Sequence, residues 1–170
     1  MKIKRLLLAL GCAVLLCGCT KSNIVQPETE PGETVGPDFN LYMDLEIDEE
    51  QLHDDVEDIY LDESDYPVGA AIDFELHLDE EYVDVTVVVK VGTSPEDAAE
   101  FADAAIKGIN DQVAVQDFSY GESDDDTFGG LYQDNEIRLK IYEESAYESG
   151  GAPMYETVVP KDEYMTFDIQ

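Results

Sequence analysis

Residues 70–91, AAIDFELHLDEEYVDVTVVVKV, carry the clearest structural signal in the chain. Two runs of apolar side chains alternate with polar ones, from Ile72 to Leu78 and from Val83 to Val91, on either side of an acidic turn. A period of two residues is typical of a strand with one buried and one solvated face. This stretch therefore predicts a β-hairpin.

A helix is predicted directly after the hairpin, in residues 93–110, TSPEDAAEFADAAIKGIN. Ser94 suits the N-cap, Pro95 suits the first helical position, and the acidic residues that follow complement the helix dipole. The apolar stripe consists mostly of small side chains: Ala98, Phe101, Ala102, Ala105 and Ile109. Because alanines allow close approach, we expect this helix to lie directly on the sheet.

The other predicted elements follow from shorter patterns of the same two kinds. In chain order they are a strand over 39–47, a helix over 49–60 capped by Asp48, a strand over 113–120, a hairpin of 131–132 and 137–142 across Asp134-Asn135, and a hairpin of 155–159 and 164–169 around Pro160-Lys161. Together they predict an α+β fold, a two-layer sandwich whose mostly antiparallel sheet of hairpins carries two helices on one face.

The first nineteen residues have a different character. Residues 1–5 are basic and residues 6–16 are almost wholly apolar, which is the pattern of a secretory signal peptide. A bilayer span needs about 20 apolar residues, and this run is shorter. It ends in Leu16-Cys17-Gly18-Cys19, which resembles the lipobox of bacterial lipoproteins. That resemblance implies removal of residues 1–18 and acylation of Cys19.

The lipobox resemblance also implies an organisation and a location. The acylated Cys19 would anchor the chain in the lipid bilayer, on the outer face of the bacterial cytoplasmic membrane or elsewhere in the envelope. Residues 19–38, rich in Pro and Gly, would be a flexible linker to one acidic domain over 39–170. Because no cysteine follows Cys19, the mature protein is not expected to contain disulfides, a catalytic thiol or a cysteine-bound metal.

Charge is the strongest physical feature of the mature chain. The leader contains three of the nine Lys and Arg residues and none of the 41 acidic ones, so the net charge after its removal is −35. Such a field repels nucleic acid and attracts basic proteins and peptides. We therefore expect a non-enzymatic binding module for an envelope or cationic partner. The alternatives are an immunity-type lipoprotein that neutralises a cationic toxin or peptide, and a carboxylate-based hydrolase.

Residues that could support catalysis are few. The two histidines, His53 and His77, are predicted on the polar faces of their elements, and none of the common hydrolase or phosphate-binding motifs is present. A pair of catalytic carboxylates cannot be chosen among so many acidic residues. The sequence therefore predicts no catalytic residue.

Two further patterns bear on ligands. Glu122, Asp124 and Asp126 lie in one Gly-flanked loop and are candidates for calcium, but their spacing does not match an EF-hand. The pattern favours a solvated loop tip, so no cofactor is expected. Several tyrosines lie near acidic residues and suit either a surface for basic ligands or, as we expect, the edge of the core: Tyr120, Tyr132, Tyr142, Tyr147, Tyr155 and Tyr164.

Overall fold

Within residues 46–170, four strands form a single sheet in the order β1-β2-β3-β4. The computed structural model describes residues 46–170, and the strands are β1 (Gly69–His77), β2 (Tyr82–Val89), β3 (Glu136–Glu143) and β4 (Tyr155–Val159). β1 and β2 pair antiparallel, as do β3 and β4, whereas β2 and β3 in the centre are parallel. The sheet is therefore mostly antiparallel, as predicted.

The predicted β1–β2 hairpin is confirmed, except at its ends: Leu78 and Val91, predicted in the buried alternation, lie outside the strands and are exposed. One short 3-10 turn, Leu78–Glu80, connects the strands, and Glu81 follows it with a left-handed backbone at φ 63°. This connection places His77 opposite Tyr82 and Glu75 opposite Asp84. Because side chains alternate along a strand, these four side chains lie on the outer face of the sheet, opposite the face that carries the core residues.

Both predicted long helices are present as α1 (Glu49–Tyr60) and α2 (Pro95–Gln116). The side chain of Asp48 accepts a hydrogen bond of 3.1 Å from the Gln51 N–H, and Ser94 accepts one of 3.1 Å from the Asp97 N–H. Both predicted N-caps are therefore confirmed. Two short helices, α3 (Leu131–Asp134) and α4 (Glu144–Glu148), flank β3.

The core lies between the sheet and the two long helices. Its buried side chains come from α1, from α2 and from the inward positions of the strands: Leu52, Val56, Phe101, Ala102, Ile106, Ile72, Phe74, Val83, Val85, Val87, Ile137, Leu139 and Ile141, among others. Gly108 lets α1 approach α2 closely, because a Cβ at this position would overlap the ring of Tyr60. The α+β two-layer architecture is confirmed.

The strand predicted over 113–120 is wrong. Residues 113–116 form the last turn of α2, and Asp117–Tyr120 is a turn without strand pairing. Val113 and Ala114 are buried, so they continue the apolar stripe of the helix. The valines favour a strand by propensity, but tertiary burial of the helical face outweighs that small preference.

Two predicted strand pairings are also wrong. Residues 131–132 belong to α3, and β3 instead pairs with β2 on one side and β4 on the other. Residues 164–169 form no strand, although Phe167 and Ile169 are buried against the core. Tyr132 is instead buried against α2, where its hydroxyl donates to the Ile106 carbonyl, and Phe167 is buried against the rings of Phe128 and Tyr155.

The amino-terminal predictions lie outside the described residues. These are the leader, Cys19, the linker and the strand predicted over 39–47, of which residues 46 and 47 are described and have no regular structure. Within residues 46–170, no helix has both the length and the apolar character that crossing a bilayer requires.

Candidate functional site: acidic grooves along helix α2

A groove of about 680 Å³ lies between the first turns of α2 and residues 164–169, and we call it the α2 groove. Its floor is apolar and includes Ala99, Phe167 and Ile169. Phe167 packs against the rings of Phe128 and Tyr155, with ring centroids 6.0 and 6.1 Å from its own. The wall formed by 164–169 is therefore fixed to the core although it forms no strand.

Carboxylates surround this apolar floor. Glu96, Glu100, Asp103 and Asp168 all line the groove. Asp103 is neutralised locally, because Lys107 lies 3.0 Å from its Oδ2 atom and the Tyr164 hydroxyl donates to its Oδ1 atom at 3.2 Å. Burial lowers the pKa of Lys107, but the hydrogen bond and the charge of Asp103 outweigh it and raise that pKa overall.

The other three groove carboxylates have no such partner. Within residues 46–170, every Lys and Arg forms an ion pair with a carboxylate elsewhere: Lys90 with Glu63, Lys107 with Asp103, Arg138 with Glu136, Lys140 with Glu156 and Lys161 with Glu81. The amino-terminal dipole of α2 stabilises Glu96 in the first turn. Glu100 and Asp168 are left without a compensating charge in this part of the chain.

A second groove, of about 380 Å³, lies on the other side of the same helical turns, and we call it the Tyr66 groove. Asp65, Tyr66 and Val68 form one wall, and α2 supplies Asp97 and Glu100. The Tyr66 ring contacts Phe101 at 6.0 Å and Tyr60 at 5.0 Å, which fixes this wall against both helices. Glu100 lines both grooves and so joins them into one acidic surface.

The two grooves share one chemical character, an apolar floor with a carboxylate rim. Lys and Arg side chains match it, because their aliphatic stems can cover apolar surface while their charged ends bind carboxylates. The volume of the α2 groove falls within the range of about 300–1,000 Å³ that is typical of ligand sites. The surface therefore suits a basic ligand that also has apolar side chains.

A separate cluster lies on the outer face of the sheet, opposite the helices. The Nε2 atom of His77 is 3.4 Å from Oε2 of Glu75 and 3.6 Å from Oδ2 of Asp84. Within residues 46–170, these three residues are the one group of His, Asp, Glu and Cys whose potential metal ligands lie within 4.8 Å of one another.

The loop residues considered for calcium are placed differently. Glu122, Asp124 and Asp126 are exposed, and the Oδ1 atom of Asp124 accepts the Asp126 backbone N–H at 2.8 Å. The loop is held to α2 through Asp111, whose carboxylate accepts hydrogen bonds from the N–H and hydroxyl of Ser123 at 2.7 and 2.9 Å. These contacts organise the loop without bringing its acidic side chains together.

The histidines and tyrosines do not form one site. His77 lies on the outer face as predicted, whereas His53 is partly buried with its ring stacked on Phe74 at 3.9 Å. Tyr132 is buried and donates to the Ile106 carbonyl at 3.3 Å, and burial raises its pKa. Tyr142 and Tyr147 contact each other at 5.5 Å, and Tyr164 lines the α2 groove.

Sequence reasoning missed both the grooves and the outer-face cluster. The cluster had only a partial signal: the alternation places Glu75, His77 and Asp84 on one face, but their register depends on where the turn begins. The α2 groove had none, because its second wall is an irregular segment far along the chain. Comparison of the chain with protein-family models, curated proteins and solved structures gives no match.

Proposed function

We propose that the protein is a non-enzymatic binding module, tethered to the bacterial envelope through a lipid on Cys19, that captures a basic and partly apolar segment of a protein or peptide. The tether is supported by the lipobox resemblance at residues 16–19. The capture is supported by the grooves along α2. The two parts of the proposal are independent and are tested separately.

The observation on which the capture depends is the uncompensated charge at Glu100 and Asp168. Both carboxylates border the apolar floor, and within residues 46–170 every Lys and Arg is paired with a different carboxylate. A basic ligand would therefore supply an opposite charge that no Lys or Arg of residues 46–170 provides to these two carboxylates. Electrostatic attraction of this kind speeds association, while apolar contact in the groove slows dissociation.

A short peptide in which arginine and leucine alternate is a suitable probe. Calorimetry with the full-length protein in nonionic detergent measures its binding, after subtraction of a titration into micelles alone. The same peptide with glutamate in place of arginine should not bind. A peptide of arginine and glycine, which lacks the apolar part, should bind more weakly while its affinity falls with salt by a similar factor, because the two peptides carry the same charge.

A matched pair of variants locates the site. Glu100→Gln with Asp168→Asn removes two charges from the grooves, and Glu122→Gln with Asp126→Asn removes two from the exposed loop. We expect the groove variant to weaken binding by about tenfold or more, because a charge-assisted hydrogen bond contributes about 1.5–3 kcal/mol. Equal weakening by the two variants would show that only the overall charge matters and would refute the groove as the site.

A further inference from the structure

We propose that Glu75, His77 and Asp84 form a binding site for a divalent first-row transition metal ion, with zinc as the best fit. The site lies on the outer face of the sheet, so it is independent of the grooves along α2. One nitrogen and two oxygen ligands converge there from adjacent strands.

The spacing of the ligand atoms supports metal rather than a simple ion pair. A charge-assisted hydrogen bond between a histidine and a carboxylate is about 2.7–2.9 Å long. The two separations from Nε2 of His77 are longer, at 3.4 and 3.6 Å. Zinc bound tetrahedrally at about 2.0–2.1 Å holds its ligand atoms about 3.3–3.4 Å apart. The separation of 3.4 Å lies in this range, and small side-chain rotations would bring the 3.6 Å separation into it.

The histidine is also held in position. Its ring stacks on Tyr82 at 4.3 Å with the planes 27° apart. Tyr82 is in turn covered by the guanidinium of Arg138, 3.4 Å from the ring centroid, on the neighbouring strand β3. This contact limits the rotation of the His77 ring and so lowers the entropy that metal binding would cost.

The mixed ligand set indicates the class of metal. Calcium and magnesium take oxygen ligands, whereas imidazole together with carboxylates suits zinc and its first-row neighbours. Three protein ligands leave a fourth position open. Glu75 and Asp84 also line a polar depression together with Asp73, Thr86, Arg138 and Lys140, where water or an anionic group could complete the coordination.

Zinc titrated into the full-length protein in nonionic detergent tests the proposal by calorimetry. A large excess of magnesium occupies the exposed carboxylates, which prefer hard cations. We expect saturable binding of one zinc ion per chain, and binding at least about tenfold weaker in His77→Gln, since even indirect partners of a metal contribute that much. His53→Gln is the matched control, because the chain has two histidines and His53 lies away from the cluster; it should bind zinc as the unmodified protein does.

A second measurement needs no variant. With only two histidines, their ring resonances can be followed directly by NMR during the zinc titration. The resonances of His77 should shift and saturate while those of His53 stay unchanged. Zinc binding that does not saturate, or that is unchanged in His77→Gln, or that leaves the His77 resonances in place, would overturn the proposal.

Discussion

The Oδ1 atom of Asn110 accepts a hydrogen bond of 2.9 Å from the backbone N–H of Leu131, and so connects the buried side of α2 to the first residue of α3. The same carboxamide donates to the Gly121 carbonyl at 3.0 Å and to Oδ1 of Asp111 at 2.9 Å. Asn110 is fully buried. One side chain therefore fixes both ends of the acidic loop against the helix.

Replacing Asn110 with Ala should lower the free energy of unfolding by about 1–3 kcal/mol, because the buried N–H of Leu131 loses its acceptor. The Gly121 carbonyl keeps a second partner, the Gly130 N–H at 2.8 Å, and adds little to the loss. Urea denaturation measures the change. Gln112→Ala, on the same helix but only partly buried, is the control; an equal loss in both would show that the Asn110 contacts contribute nothing specific.

A charge on the inner face of β2 should abolish folding. Val87 is fully buried between the sheet and the helices, and an unpaired charge there costs several kcal/mol against a total stability of about 5–15 kcal/mol. Val87→Asp should therefore be unfolded by circular dichroism. Val158→Asp makes the same replacement on the outer face, at a residue that is 52% exposed and lies opposite Arg138, and it should fold normally. A cooperative melt of Val87→Asp near that of the unmodified protein would contradict the packing described for this strand.

Stability should fall at high pH because of Tyr60. Burial raises the pKa of its phenol to about 12, and the charges of Tyr66 and Asp111 add to this effect. An unfolded tyrosine titrates near pH 10, at about 10.0 in model peptides. Between these values the folded chain keeps a proton that the unfolded chain has lost, so the stabilisation is complete below about pH 10 and is lost as the pH rises towards 12.

Thermal melts between pH 8 and pH 12, in about one-unit steps, measure this loss. Tyr60→Phe should lose less stability over the window than the unmodified protein does. Tyr147→Phe, at an exposed position, should follow the unmodified curve. Identical curves for all three proteins would assign the alkaline loss to other groups.

The proposed lipid anchor would depend on one residue, Cys19, whose thiol is the group that the lipobox resemblance assigns for acylation. Cys19→Ala should leave the protein in the aqueous phase or as an unprocessed precursor, because no acyl group can be attached. Phase partitioning in a clouding detergent, together with the mass of the protein, distinguishes these outcomes. Cys12→Ser and Cys17→Ser should partition with the detergent; detergent-phase recovery of Cys19→Ala at the full level would refute the anchor.

Salt should stabilise the protein by screening its negative charge. The Debye length is about 8 Å at about 0.15 M salt, so repulsion between neighbouring exposed carboxylates weakens as salt rises. We expect the melting temperature to increase smoothly with sodium chloride. Calcium at equal ionic strength should raise the melting temperature little further. A calcium-dependent rise that saturates, and that disappears in the double variant Asp124→Asn with Asp126→Asn, would instead identify the loop as a metal site.

The β1–β2 hairpin and the starts of α1 and α2 were predictable from the sequence, because the patterns that specify them lie within a few neighbouring residues. The alternation over 70–91 specifies the hairpin and its buried face, and the Ser94 and Asp48 caps mark where the two long helices begin. The register that pairs Glu75 with Asp84 does not follow from the two apolar runs, because they would place Leu78 opposite Val83, whereas in the structure Leu78 begins the turn. The alternation places Glu75, His77 and Asp84 on one face of the sheet, but only the position of the turn in the structure brings the three side chains together.

Contacts between distant segments were not predictable in this way. Alternation indicates which face of β3 is buried, but not that β3 pairs in parallel with β2 across the whole of α2. It likewise cannot distinguish Phe167 and Ile169 in a strand from the same residues packed irregularly beside α2. The free energy gained by burying apolar area does not depend on direction. A short apolar run is therefore stabilised equally by a strand, a helix or an irregular segment that covers it. The α2 groove forms because residues 164–169 pack irregularly beside α2 in the folded core instead of pairing as a strand.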